Sequence, residues 1–274
     1  MAAVIAAAIF WALGGALAGR MLASIPAEML IALRFEGSLL LLLPVFLVRP
    51  PLRSEWALLV PAGILLTLVQ GLYYLVMARS SVATVLFLEY LAPVILTIYA
   101  MLRGQKIGRR AVGGVAIAVL GAYLLVIGPR GLAGSTGIFL VGLVLGGTLA
   151  IYAELNSRIK TPPFTTLAAG TVVGTLLSSP VWFFEKPSLS TGEWVGLAYI
   201  VVFSTIIPFA LFLRGLQQIP ARLATLLAML EPVAGSLLAI PIAHQPLSAF
   251  GLLGGGLILL GVWLNALQTI PSKS

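Results

Sequence analysis

Residues 220–238 read PARLATLLAMLEPVAGSLL, and residues 81–99 read SVATVLFLEYLAPVILTIY. The two stretches align, with Leu91-Ala92-Pro93-Val94 over Leu230-Glu231-Pro232-Val233. Each is a long apolar run with a proline near its middle and a glutamate just ahead of it, Glu231 by one residue and Glu89 by four. Glu231 has no charged residue within eight positions on either side. The match continues downstream, where GQKIGRRAVGGVAIAVLGAY (104–123) lies over HQPLSAFGLLGGGLILLGVW (244–263) after a shift of one residue. Upstream, Pro26 and Pro44 bracket one apolar run as Pro162 and Pro180 bracket another.

Runs of this kind fill the chain. Of its 274 residues 60% are hydrophobic and only 9% charged, against about a quarter charged in ordinary globular domains. Apolar runs of 18 to 25 residues recur, each long enough to cross roughly 30 Å of hydrocarbon as a helix. Barrel strands would alternate over about ten residues, and these runs do not. Ten spans are expected, at 2–19, 27–48, 56–78, 80–102, 111–128, 132–153, 164–184, 194–213, 219–242 and 247–268. The first lacks a positively charged leader and reads as a retained span rather than a cleaved signal. No connection is long enough for a soluble domain.

The net charge of +8 would suggest nucleic acid in a soluble protein. In a polytopic membrane protein it orients the helices instead. With the N-terminus in the cytoplasm, eleven of the sixteen basic residues lie inside (among them Arg103, Lys106, Arg109, Arg110, Arg158 and Lys160). Arg20, Arg79, Arg130 and Lys186 lie outside, and Arg34 lies within a span. Both termini are therefore expected to be cytoplasmic. Five spans per half is an odd number, so matched halves at residues 1–130 and 131–274 must sit in the membrane upside down relative to each other. Loop charge agrees, since RGQKIGRR carries four basic residues and its counterpart AHQPLS none. The expected fold is an all-α integral membrane protein of ten transmembrane helices, arranged as two inverted five-helix repeats. That plan recurs in secondary transporters, which place the substrate site near the midplane between the halves.

Several pieces then fall into a familiar order: Trp11 with Gly14-Gly15, Arg34-Phe35, LAPV at 91–94, Gly114 through Gly121, LEPV at 230–233, and Gly254 through Gly261. Together they resemble the drug/metabolite transporter superfamily, and within it the ten-helix EamA-type exporters, over essentially the full length. The chain is most similar to the aromatic amino-acid exporters of bacterial inner membranes. The resemblance implies export of small amphipathic metabolites by alternating access. Other metabolites or drugs, or a scaffold without transport activity, are the alternatives. Gln105 and Gln245 stand where that family usually has a glutamate before its fifth and tenth spans.

Four ionisable residues fall deep within spans: Arg34, Glu36, Glu89 and Glu231. A charge there costs about 2.5–3.5 kcal/mol on insertion scales, so it normally faces a cavity or a partner. Arg34 and Glu36, two residues apart, point to different faces of one helix and are read as structural charges. Glu89 and Glu231 sit in the repeat-paired spans beside prolines, which free a carbonyl in the preceding turn. They are read as the substrate's acidic contacts. Trp11, Tyr74, Tyr90 and Tyr152 offer flat aromatic faces, the tyrosines with a hydroxyl as well, and Gln70 adds a neutral polar group. These seven residues form the expected substrate site. Glycines spaced four apart, such as Gly142/Gly146 and Gly170/Gly174, are read as close-packing points.

Enzyme chemistry has little support. There is no cysteine and no aspartate, and no phosphate-binding loop. The one histidine, His244, cannot make a two-histidine zinc site. No cofactor or metal is expected. The expected partners are a small-molecule substrate and the lipid bilayer, not nucleic acid, with the protein a monomer or weak homodimer.

Overall fold

The computed structural model describes residues 1–51, 53–128, 131–184, 186, 188–243 and 248–269. Arg130, His244, Gln245 and Lys273 lie outside the described residues. The fold is helical throughout: α1 (Ala2–Met21), α2 (Ala27–Val48), α3 (Trp56–Arg79), α4 (Val82–Glu89), α5 (Ala92–Leu102), α6 (Arg109–Ala122), α7 (Thr136–Asn156), α8 (Pro163–Ser178), α9 (Thr191–Tyr199), α10 (Ile207–Leu216), α11 (Ala221–Ala228), α12 (Leu230–Ala243) and α13 (Ala249–Thr269). Nine segments of the described residues are long and apolar enough to cross a membrane, and α1 is a further apolar helix.

Two expected spans are broken, and proline chemistry says where. A proline has no N–H to offer the carbonyl four residues back, and its ring crowds that carbonyl. Pro93 acts on Glu89, and α4 ends at Glu89. Pro232 acts on Ala228, and α11 ends at Ala228. A short turn follows each break, Tyr90–Leu91 in one case and Met229 in the other. It is held by local bonds such as Leu91 N–H to Leu88 O (3.3 Å) and Met229 N–H to Leu226 O (3.2 Å). The helix then resumes with its proline in the first turn, where the missing N–H costs nothing. The two glutamates thus flank matching breaks from opposite sides, Glu89 ending one helix and Glu231 beginning another.

A third irregularity precedes Pro208. Between α9 and α10 the chain runs as a π-helix over Ile200–Ile206, where the Thr205 hydroxyl donates to the Ile200 carbonyl at 3.0 Å. Widened turns of this kind concentrate at functional sites.

Packing follows the small residues. α6 makes its main contact with α13, α2 with α8, and α3 with α7 and α8. A Cβ built on Gly121 would lie 2.6 Å from the Gly254 carbonyl oxygen, and one on Gly261 would lie 2.3 Å from that of Gly114. Only glycine lets these two backbones meet. The spaced glycines of α7 and α8 also pack closely, Gly142 on Leu88 and Gly174 on the Phe35 ring.

The helix ends are tied across the chain. At one, the Glu55 carboxylate accepts from the Lys160 N–H (2.8 Å), the Thr161 N–H (2.7 Å) and the Thr161 hydroxyl. Gln217 Nε2 donates to the carbonyls of Ile159 (3.2 Å) and Thr161 (2.8 Å). The starts of α3 and α8 and the end of α10 are thereby gathered at one place. Elsewhere, Ser190 and Glu193 form a capping box at the start of α9, and Glu193 also accepts from the Ser24 hydroxyl at 2.6 Å.

Candidate substrate cavity

The two helix breaks open onto one internal cavity of about 800 Å³, counting its mouth. Glu89 and Tyr90 reach it from the first break, with Ala92 and Pro93 beyond, and Ala228 and Glu231 from the second. A break supplies what a continuous helix cannot, a polar side chain and loosened backbone facing the same space at membrane depth.

The expected site residues converge here with one exception. Trp11, Gln70, Tyr74, Glu89, Tyr90 and Glu231 all line the cavity. Tyr152 does not: it is 2% exposed and packed into the α7 core, three residues from Leu149, the α7 side chain that does reach the cavity. Its ring packs among buried neighbours instead of lining the cavity. Tyr73, Phe209, Phe212 and Ser204 also contribute. So does Arg34, read from sequence as a structural intramembrane charge.

Arg34 serves both ends. Its Nε donates to the Thr205 hydroxyl, Nη1 to the Tyr74 hydroxyl (2.6 Å) and Nη2 to the Ser204 carbonyl (2.8 Å). The Tyr74 ring lies 5.5 Å from the guanidinium carbon, a cation–π distance. Ser204 stands four residues before Pro208, so its carbonyl lacks the usual α-helical donor. Arg34 supplies one in its place. The guanidinium is anchored to the π-helical segment while its edge faces the cavity. Glu36 lies elsewhere, accepting from Trp182 Nε1 near the outer surface of α2.

Thr225 also lines the cavity, its hydroxyl donating to the Ala221 carbonyl at 3.0 Å, but several other polar groups there are unpaired. Gln70 Nε2, the Tyr90 hydroxyl and the Ser204 hydroxyl are buried without a hydrogen-bond partner among the described residues. The Glu89 and Glu231 carboxylates, each half-buried, take part in no hydrogen bond or ion pair among them. Glu89 is within electrostatic reach of Arg34, and Glu231 of Glu89. The aromatic wall is built on Trp11, which meets Phe209 edge-on at 5.2 Å and Phe212 at 5.5 Å between ring centroids. Tyr73 and Tyr74 stand perpendicular at 5.6 Å. No cluster of metal-ligating side chains occurs among the described residues.

The model of the EamA-like transporter family matches this chain twice, over residues 1–127 and 133–267. The chain belongs to that family. An uncharacterized transporter of Archaeoglobus fulgidus is 26% identical over 192 residues, 69% of each chain. The uncharacterized inner membrane transporter YicL of Salmonella typhimurium is 27% identical over 208 residues, 73% of this chain and 69% of that one. The uncharacterized transporter YwfM of Bacillus subtilis reaches 29% over 161 residues, 57% of this chain and 54% of its own. A solved crystal structure superposes with a TM-score of 0.82 over 99% of this chain and 98% of the other, at 20% identity, and so shares the fold. This EamA-like protein is a multi-pass membrane transporter. Its central cavity, framed by two proline breaks, is the candidate site.

Proposed function

We propose that this transporter exports aromatic amino acids from a bacterial cytoplasm across the inner membrane, by alternating access between two inverted five-helix halves at residues 1–130 and 131–274. One observation carries the substrate reading. The cavity holds unpaired donors on Gln70 and Tyr90 together with unpaired carboxylates on Glu89 and Glu231. A zwitterion answers both needs at once. Its ammonium meets the glutamates, while its carboxylate takes the Gln70 amide, the Tyr90 hydroxyl and the spare N–H groups of Arg34. Buried polar groups left unmet cost roughly 1–3 kcal/mol each, so a ligand lacking either charge leaves part of the site unsatisfied. The wall of Trp11, Tyr73, Phe209 and Phe212 suits an aromatic side chain through offset or edge-on ring contacts.

The inner-membrane assignment draws on the Salmonella relative's description and on the eleven-to-four split of basic residues. The inverted arrangement draws on the double family match and the opposite loop charges. Mechanistically, the Glu89 and Glu231 carboxylates hold the ammonium near the midplane. The halves then rock around that point, exposing the cavity to one side and then the other.

The test is counterflow by purified protein in liposomes with labelled phenylalanine, tyrosine, tryptophan, threonine, phenethylamine and phenylpropionate. Phenylalanine and tryptophan should be carried well, and the two compounds lacking one charge poorly. Tyr74 is a poor probe of ring recognition because Arg34 binds its hydroxyl, so Trp11→Ala is the better variant. It should impair phenylalanine and tryptophan more than any residual threonine flux. Equal loss for all substrates would assign Trp11 to packing, and no flux of any aromatic amino acid would overturn the substrate assignment.

A further inference from the structure

We propose that a groove on the membrane-facing side of α5 and α7, separate from the substrate cavity, binds one anionic phospholipid. The groove is open along one side and spans about 680 Å³, open solvent included. Its floor is apolar, made by Ile95 and Leu96 of α5 and by Ala150, Ile151 and Leu155 of α7. Ile151 is 59% exposed, so this floor opens toward the bilayer rather than into the protein.

One end of the groove differs from the rest. Tyr99 and Arg158 close it, and the Arg103 guanidinium stands 5.9 Å from the Tyr99 ring centroid. Arg158 donates to Glu154 at 2.9 Å and also interacts with the Tyr99 hydroxyl, and its side chain stays 53% exposed. Beyond these two arginines, Lys106 follows α5 and Lys160 follows α7. Glu154 is the single acid lining the groove. From Ile95 to Arg103 the α5 wall runs about 12 Å at 1.5 Å per residue. That shape, an acyl-sized apolar slot ending in cations at the helix ends, complements a phospholipid whose headgroup carries net negative charge. A zwitterionic lipid would fill the slot equally well but gain less from the basic rim. A soluble anion would gain from the rim and leave the slot empty.

The position adds a consequence. Ala92 and Pro93 of α5 and Leu149 of α7 line the substrate cavity, within a turn of the groove residues on the same two helices. The lipid chain would therefore lie behind one wall of the cavity.

The experiment uses the full-length protein, delipidated in detergent and titrated with phosphatidylglycerol or phosphatidylcholine, with bound lipid counted by native mass spectrometry. We expect one phosphatidylglycerol to be retained more tightly than phosphatidylcholine. Arg103→Gln and Arg158→Gln should each weaken it about fivefold. Ile151→Trp, which fills the slot, should abolish retention with the protein's thermal midpoint unchanged. Equal affinity for the two lipids would overturn the proposal. So would an Arg109→Gln/Arg110→Gln control that loses as much affinity as the groove variants, because binding would then follow overall surface charge. Tight binding of glycerol phosphate, which has no chains, would overturn it in favour of a simple anion site.

Discussion

Replacing Glu55 with alanine should loosen the fold at one membrane face, by an amount the geometry bounds. The carboxylate is 8% exposed and accepts from two backbone N–H groups and one hydroxyl in the 160–161 turn. A hydrogen bond to a charged group contributes about 1.5–3 kcal/mol, so three set a ceiling of roughly 4.5–9 kcal/mol. Two effects reduce it. The Thr161 hydroxyl can rotate to another acceptor, and the space left by truncation lies at a helix end where water can reach the two N–H groups. The expected loss is then about 3 kcal/mol. Glu55→Gln keeps one acceptor oxygen but turns an amide N–H₂ toward a donor, and should cost about 2 kcal/mol.

The assay is equilibrium unfolding in mixed micelles, following the change in midpoint and slope for each variant. A further variant checks the reasoning. Gln217→Ala removes the amide that holds the Ile159 and Thr161 carbonyls, so it acts on the same turn from the other side. The double variant should cost less than the sum of the singles, because sites sharing partners couple. Losses below about 0.5 kcal/mol for Glu55→Ala, or full additivity with Gln217→Ala, would refute the idea that the turn is held as one unit.

Other outcomes follow from the packing and the cavity. Gly121→Ala should destabilise by about 1–3 kcal/mol, the range for overpacking, because its methyl would meet the Gly254 carbonyl at 2.6 Å. Gly113→Ala, with nothing within 4 Å, should be neutral or stabilise by up to about 1 kcal/mol through helix propensity; both are read by thermal denaturation in detergent. Arg34→Lys should cost about 3 kcal/mol in the same assay, since one ammonium cannot reach Thr205, Tyr74 and Ser204 together as the guanidinium does. Glu231→Gln should insert and fold normally yet lose most export, normalised to membrane protein level, whereas full activity would reduce Glu231 to a packing acid. A reporter fused after Ser274 should read cytoplasmic and one inserted at Ser188 periplasmic.

How much of this was legible in the sequence depends on which physical signal each feature leaves there. Spans are legible because hydrocarbon thickness sets a minimum run of apolar residues, and the observed helices begin and end within a few residues of those runs. The breaks are legible as prolines, and their positions follow from the same chemistry, since each helix stops at the carbonyl its proline cannot serve. The direction a side chain faces is not legible in the same way. A helix such as α7, apolar on all sides, has no polar stripe to separate lumen from lipid or core. Depth and an aromatic face point to Tyr152, whereas Leu149 is the α7 side chain that lines the cavity. The partners that anchor Arg34 are hidden in the sequence for a related reason. Its partners Thr205 and Ser204 stand some 170 positions away, and the signal that could have joined them was Pro208, which frees the Ser204 carbonyl at a depth where only another buried donor can meet it. Glu55 left no signal, because an acid beside an arginine at a span end reads as solvated until the 160–161 turn is seen closing over it. The cavity shows the converse. Glu89 and Glu231 could be picked out because membrane depth makes an ionisable residue expensive, and they are unpaired among the described residues. Two unmet carboxylates and several unmet donors, brought into one space among the described residues, are what the proposed zwitterionic substrate would answer by bringing both charges with it.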